Sequence, residues 1–136
     1  MKIDISFEGG QKVAASFPDG LQMLTDQPAE DGSPGSAPTP FAYFLGSIGT
    51  CAGIYVLEFC KARQIPTENV SLTQNIEFEL DQQGKRRVSK VALTINLPPD
   101  FPERYQKAIV KAAELCSVKK AIMHPPEFVV DYQVSA

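Results

Sequence analysis

Residues 40–63, PFAYFLGSIGTCAGIYVLEFCKAR, decide how the rest of the chain must be arranged. This is the longest run without a breaker, and it reads as one helix of about six to seven turns. Thr39 suits the N-cap and Pro40 the first helical position, where a missing N–H costs nothing. Lys61 and Arg63 suit the negative end of the helix dipole, and Pro66 stops further propagation. Phe41, Phe44, Leu45, Ile48, Ala52, Tyr55 and Phe59 fall at helical spacing and make one apolar stripe. Roughly opposite lie Gly46, Gly49, Gly53 and Cys60. A glycine inside a helix costs about 1 kcal/mol relative to alanine. Glycines gathered on one face therefore call for another backbone close by. The helix is expected to be central and buried, with Cys51 on its flank and Ser47 and Glu58 on nearby directions.

Upstream, Lys2–Phe7 alternates Ile3, Ile5 and Phe7 with polar residues, a half-buried strand. Gly9-Gly10 turns it into Lys12–Phe17, and Pro18-Asp19-Gly20 turns that into Leu21–Thr25, giving an antiparallel meander. Residues 26–39, DQPAEDGSPGSAPT, read as a surface loop with little to bury. Downstream, Val70–Leu80 and Val88–Leu97 form a hairpin around Asp81-Gln82-Gln83-Gly84, with Gln74 a departure on the apolar face. Pro102 opens a second helix to about Leu115, and Ser117 caps a short one to Met123. Phe128–Val134 is the last expected strand. The order βββ-α-ββ-α-α-β is an α+β layout of antiparallel sheets packed on the long helix. One sheet can shield one side of that helix. The glycine side wants a second copy, which predicts an intertwined homodimer with the long helices between two sheets.

The chain of 136 residues fits a single domain, 1–136, with 43% apolar and 21% charged residues. Its net charge of −3 and lack of a basic run exclude nucleic acid as the expected partner. The strand pattern of MKIDISFEGG leaves no room for a signal-peptide core. A membrane span is not expected, because glycines, Thr50 and Glu58 interrupt the one long apolar helix. A cytoplasmic location follows. The cysteines show neither CxxC nor Cys/His spacing, so free thiols are expected, with no metal and no bound cofactor.

Cys51 and Cys116 sit on different elements and can meet. Cys60, nine residues after Cys51 and about 180° around the helix, cannot pair with it. Cys116 precedes a helix N-terminus, with Lys119 and Lys120 nearby, an arrangement that favours its thiolate. Buried cysteines also serve as small inert hydrophobes, so from the residues alone both readings stand. His124 in HPP reads as a helix stop, and Lys85, Arg86 and Arg87 as a solvated hairpin tip. Phe41 and Phe44, with Ser47 and Glu58, are the candidate lining of a substrate pocket.

These features resemble the OsmC/Ohr family of thiol-dependent organic hydroperoxide reductases. The resemblance rests on Pro40 before a small-residue helix with Cys51 in GTCAG, and on AAELCSV, with Cys116 following by 65 positions (116 − 51). It also rests on the element order. AAELCSVKKAI resembles a less-characterised OsmC-like branch, since the peroxidase branch commonly has Cys-Pro where this chain has Cys116-Ser117. The resemblance implies that Cys51 is the peroxidatic thiol and Cys116 the resolving one, with an external dithiol as reductant. It also implies an interlocked dimer with two sites at the subunit interface. Peroxidase members carry a Pro-Glu pair whose glutamate orients an arginine over the cysteine. Here the pair is Pro40-Phe41, and residues 1–30 hold only Lys2 and Lys12 as cations. Without a guanidinium, a buried Cys51 is expected to resist ionisation. The alternative function is a non-catalytic OsmC-like protein that binds a small apolar or thiol-bearing ligand at the dimer interface. A third is a structural dimer with inert cysteines.

Overall fold

The computed structural model describes residues 1–135. Two compact units divide it, Met1–Ser47 and Ile48–Ala136, and the long helix runs through the division.

In the first unit, β1 (Asp4–Phe7), β2 (Val13–Ser16) and β3 (Gln22–Thr25) form the expected antiparallel meander, in the order β1-β2-β3. Ile5 faces Ala15, and Ala14 faces Leu24. Gly20, at φ 86°, makes the second turn in a conformation that L side chains resist. Burial falls on Ala14 and Ala15 of the middle strand and on Thr25 at the end of β3. The half-buried pattern expected of β1 is not observed: on this edge strand Ile5 is exposed and Phe7 is 90% exposed.

Residues 26–39 correct the expectation of a loop with little to bury. They enclose a short 3-10 turn, Ala29–Asp31, and the loop closes on the buried carboxylate of Asp26. That carboxylate accepts from the Ser33 hydroxyl, the Ser36 amide (3.0 Å) and hydroxyl (2.7 Å), and the Gln27 amide (2.8 Å). The Ser33 hydroxyl first, then the Ser36 amide, hold its pKa far below the usual carboxylate range. Thr39 caps the long helix α1 (Pro40–Ala62) as expected, its hydroxyl accepting from the Ala42 amide at 3.1 Å. Tyr43 Oη donates to the Leu24 carbonyl at 2.8 Å, tying the first turn of α1 to the end of β3.

In the second unit, β4 (Ser71–Leu80) pairs antiparallel with β5 (Arg86–Asn96). Asp81 organises the turn by accepting from the Gln83 and Lys85 amides at 2.8 and 2.9 Å. The register shifts at Glu77/Phe78, where Ser89 is the extra residue on β5. Leu72, Gln74 and Ile76 are half-buried, whereas Phe78 and Leu80 beyond the shift are exposed. Arg86 and Arg87, expected at a free tip, lie in β5. Arg86 stacks 3.7 Å above the Phe78 ring, and Arg87 pairs with Glu79. Helices α2 (Glu103–Ala113) and α3 (Ser117–Met123) follow.

The core gathers Val56, Phe59 and Cys60 of α1 with Phe101 and with Ile109 of α2. The buried line on α1 is Ile48, Ala52, Val56, Phe59 and Cys60, so Cys60 joins the core and the expected stripe is narrower at Phe41 and Phe44. Gly49 explains the irregular Gln74: a Cβ there would lie 2.8 Å from Gln74 Oε1, so the glycine makes room for that side chain. A Cβ added at Gly46 or Gly53 would meet nothing within 4 Å beyond the helix's own backbone among the described residues. Within one described chain α1 is therefore only partly buried, with Ile54 57% exposed. By length and composition α1 is also long and apolar enough to cross a membrane. Its C-terminal half instead packs one face into the core. Arg63 closes it, donating to the Phe59 carbonyl at 3.0 Å, while Gln64 turns the chain at φ 55°.

The last expected strand is not formed. Among the described residues after Met123 there is no helix or strand, and Phe128, Val129, Val130, Tyr132 and Val134 are all exposed, Val130 by 97%. The segment keeps a strand-like sequence without a strand beside it to supply the ladder.

Candidate functional site

After α2 the chain passes Glu114 and Leu115 and reaches Cys116 in an extended conformation, φ −46° and ψ 118°. Cys116, not Ser117, is the N-cap of α3: its Sγ accepts from the Lys119 amide at 3.3 Å. A sulfur atom takes the place that a hydroxyl or carboxylate oxygen usually fills. The same buried thiol donates to the Ile48 carbonyl at 3.7 Å. Ile48 is one helical turn before Cys51, so this contact fastens the start of α3 beside the Cys51 turn.

Cys51 is half-buried, whereas Cys60 and Cys116 are buried; all three are free thiols. Its Sγ lies 3.4 Å from Ser117 Oγ. The Ser117 hydroxyl first, then the Val118 amide, bring its thiol down to about 7, with the Cys116 thiol and the Ser117 amide adding to the effect. Burial opposes them and is outweighed. One expectation is corrected. Cys51 does not resist ionisation for want of a guanidinium, because neutral donors from the start of α3 replace one. The start of α3 also serves Cys51, through Ser117 and Val118, which the sequence reading does not foresee, while Cys116 caps the helix. Burial pushes the Cys60 thiol up, against the pull of Arg63.

The structure thus brings Ser117, the neighbour of Cys116, to 3.4 Å from Cys51 Sγ, and fastens Cys116 to Ile48, one helical turn before Cys51. It treats the four candidate pocket residues differently. Phe41 and Phe44 are exposed and stack on each other, ring centroids 5.5 Å apart, and the Ser47 hydroxyl donates to the Phe44 carbonyl at 2.6 Å. Glu58 is exposed and pairs with Lys61 at 4.0 Å. The cavity beside Cys116, about 460 Å³, is instead walled by Ile48, by Val91, Leu93 and Ile95 of β5, and by Val110 and Ile122 of the last helices. Glu58 is not among its described lining residues. The wall is apolar, with Glu114 and Lys119 supplying charge. Among the described residues no group of His, Cys, Asp or Glu is arranged to hold a metal ion.

Ser117 and Val118 are the site residues that sequence reasoning missed. One signal was present: serine follows Cys116 where the resemblance to the peroxidase branch implies proline. Proline has no amide and no hydroxyl to donate, whereas serine has both.

A family model described as OsmC-like protein matches residues 32–131. Solved structures share the fold. An osmotic stress induced and detoxification response protein from Psychrobacter arcticus is 21% identical, with 92% of this chain and 89% of that one covered, at a TM-score of 0.72. An organic hydroperoxide resistance protein OsmC from Legionella pneumophila is 23% identical, with 90% and 89% covered, at 0.60. OhrB, an organic hydroperoxide resistance protein of Bacillus subtilis, is 21% identical, with 92% and 93% covered, at 0.58. No curated protein matches the chain.

Proposed function

The chain belongs to the OsmC-like protein family, and on that premise we propose that it is a thiol-dependent peroxidase for small organic hydroperoxides. One observation carries the reading: a half-buried cysteine, held near pKa 7, with a second free thiol, Cys116, fastened to Ile48 one helical turn before it. About half of Cys51 is then thiolate at neutral pH, which is the nucleophilic form. The sulfur attacks the terminal oxygen of the hydroperoxide and the O–O bond breaks. The alcohol leaves with a proton, and Cys51 becomes a sulfenic acid. The Cys116 thiol then attacks the sulfenic sulfur. Water leaves, the disulfide closes, and an external dithiol restores both thiols by exchange. The apolar cavity beside Cys116 suits the organic part of such a substrate.

The reading includes a homodimer in a reducing, cytoplasmic setting, acting as a single OsmC-like domain. Its support is the apolar surface that one copy leaves open: Ile54, the space beside Gly46 and Gly53, and residues 128–134. The free state of the cysteines suits that setting.

With cumene hydroperoxide and a dithiol reductant, the natural protein is expected to turn over. Cys51→Ser should fall to the uncatalysed background while keeping the native circular dichroism spectrum. Cys116→Ser should stop after one turnover, with a sulfenic acid that dimedone traps at Cys51. Undiminished turnover by Cys51→Ser ends the proposal. The apolar cavity and Phe41 favour a second reading, a binding protein for an apolar or thiol-bearing ligand. Its sign is a ligand that shields Cys51 from alkylation and is recovered unchanged.

A further inference from the structure

Cys116 is tethered twice, to the Ile48 carbonyl on α1 and to the Lys119 amide in α3. Both ends of the junction are therefore held, and the next side chain along, Ser117, has little freedom in where it arrives. It arrives 3.4 Å from Cys51 Sγ. We propose that Ser117 is the residue that keeps Cys51 in its reactive form, its hydroxyl donating a hydrogen bond to the thiolate. This rests on Cys51 being the reactive thiol and adds to it a residue that touches the reacting atom.

The chemistry of the pair supports the direction. Between a thiol and a hydroxyl either atom can donate. Once Cys51 loses its proton the sulfur can only accept, and the hydroxyl must donate to a full negative charge. A charge-assisted bond is stronger than a neutral one, so the contact favours the ionised state. The other donors acting on the sulfur are neutral as well, the Val118 and Ser117 amides. Titratable groups on the adjoining cavity are Cys116, Glu114 and Lys119; the surrounding elements also carry Tyr55, Glu58, Cys60 and Lys61 on α1, Lys111 on α2 and Lys120 on α3.

The test follows iodoacetamide alkylation of Cys51 against pH, read peptide by peptide by mass spectrometry on the full chain. For the natural protein the rate should be half-maximal near pH 7. Ser117→Ala is expected to move that midpoint up by roughly one unit, slowing alkylation at pH 7 by roughly fivefold. Above about pH 9.5 its rate should rejoin that of the natural protein, because the thiolate then forms unaided. Ser117→Thr, which keeps the hydroxyl, should restore the natural midpoint. The proposal is overturned if the midpoint stays put in Ser117→Ala, if the rate falls equally at all pH values, or if threonine behaves like alanine. Absence of hydroperoxide turnover alongside a shifted midpoint would sink the peroxidase reading and leave the role of Ser117 standing.

Discussion

Cys51 couples reactivity to stability through one proton. In the folded chain its thiol titrates at about 7, below the value of about 8.5 expected for a cysteine in an unfolded chain. A group with a lowered folded pKa adds stability that is complete above the unfolded value. That stability declines as pH falls and is gone below the folded value. Urea unfolding of the natural protein and of Cys51→Ser should therefore give curves whose separation widens between about pH 7 and pH 8.5 and is flat on either side. A separation independent of pH would contradict the lowered thiol. That Cys51 and Cys116 could meet was legible in the sequence, because they lie on different elements. The state of Cys51 was not. Its donors come from residues 117 and 118, and helical periodicity carries no information about which distant amide will point at a given sulfur.

At the scale of elements, α3 depends on a sulfur cap. The Lys119 amide has Cys116 Sγ as its acceptor, so Cys116→Ala should cost about 1 kcal/mol in urea unfolding, whereas Cys116→Ser, with an oxygen in place, should cost less. Equal losses would show that the cap is unimportant. Closing a Cys51–Cys116 disulfide would also take the cap away, so amide exchange across Ser117–Met123 should quicken in the oxidised protein. Most elements were legible: the breakers Gly20, Pro66 and Gly84 bound strands and helices that the structure forms within a few residues. The loop 26–39 was not read correctly. Proline, glycine and serine mark it as irregular, but nothing local reveals that its serines converge on Asp26. Gln74 similarly broke the pattern of its strand until Gly49 was seen beside it.

At the scale of the whole molecule, the α+β class and the order of elements through α3 follow from the sequence, and the family match agrees. Two features were over-read for one copy: the burial of α1 and the strand at 128–134. Both were inferred from apolar pattern, which states that a surface should be covered without stating by what. The proposed homodimer turns this into an experiment. Gly53→Ala should gain about 1 kcal/mol in helix propensity, since a Cβ meets nothing within 4 Å in one chain. It should nevertheless weaken self-association in sedimentation equilibrium, because a second backbone needs that space. Unchanged association would remove the glycine face from the interface.

The bare stretch Phe128–Val134 also bears on how the protein is made in a cell. Its β-prone, weakly charged side chains are suited to stacking with any unpaired strand edge, foreign or like. Until they are covered, a newly synthesised chain is adhesive, and correct assembly competes with clumping from the moment it leaves the ribosome.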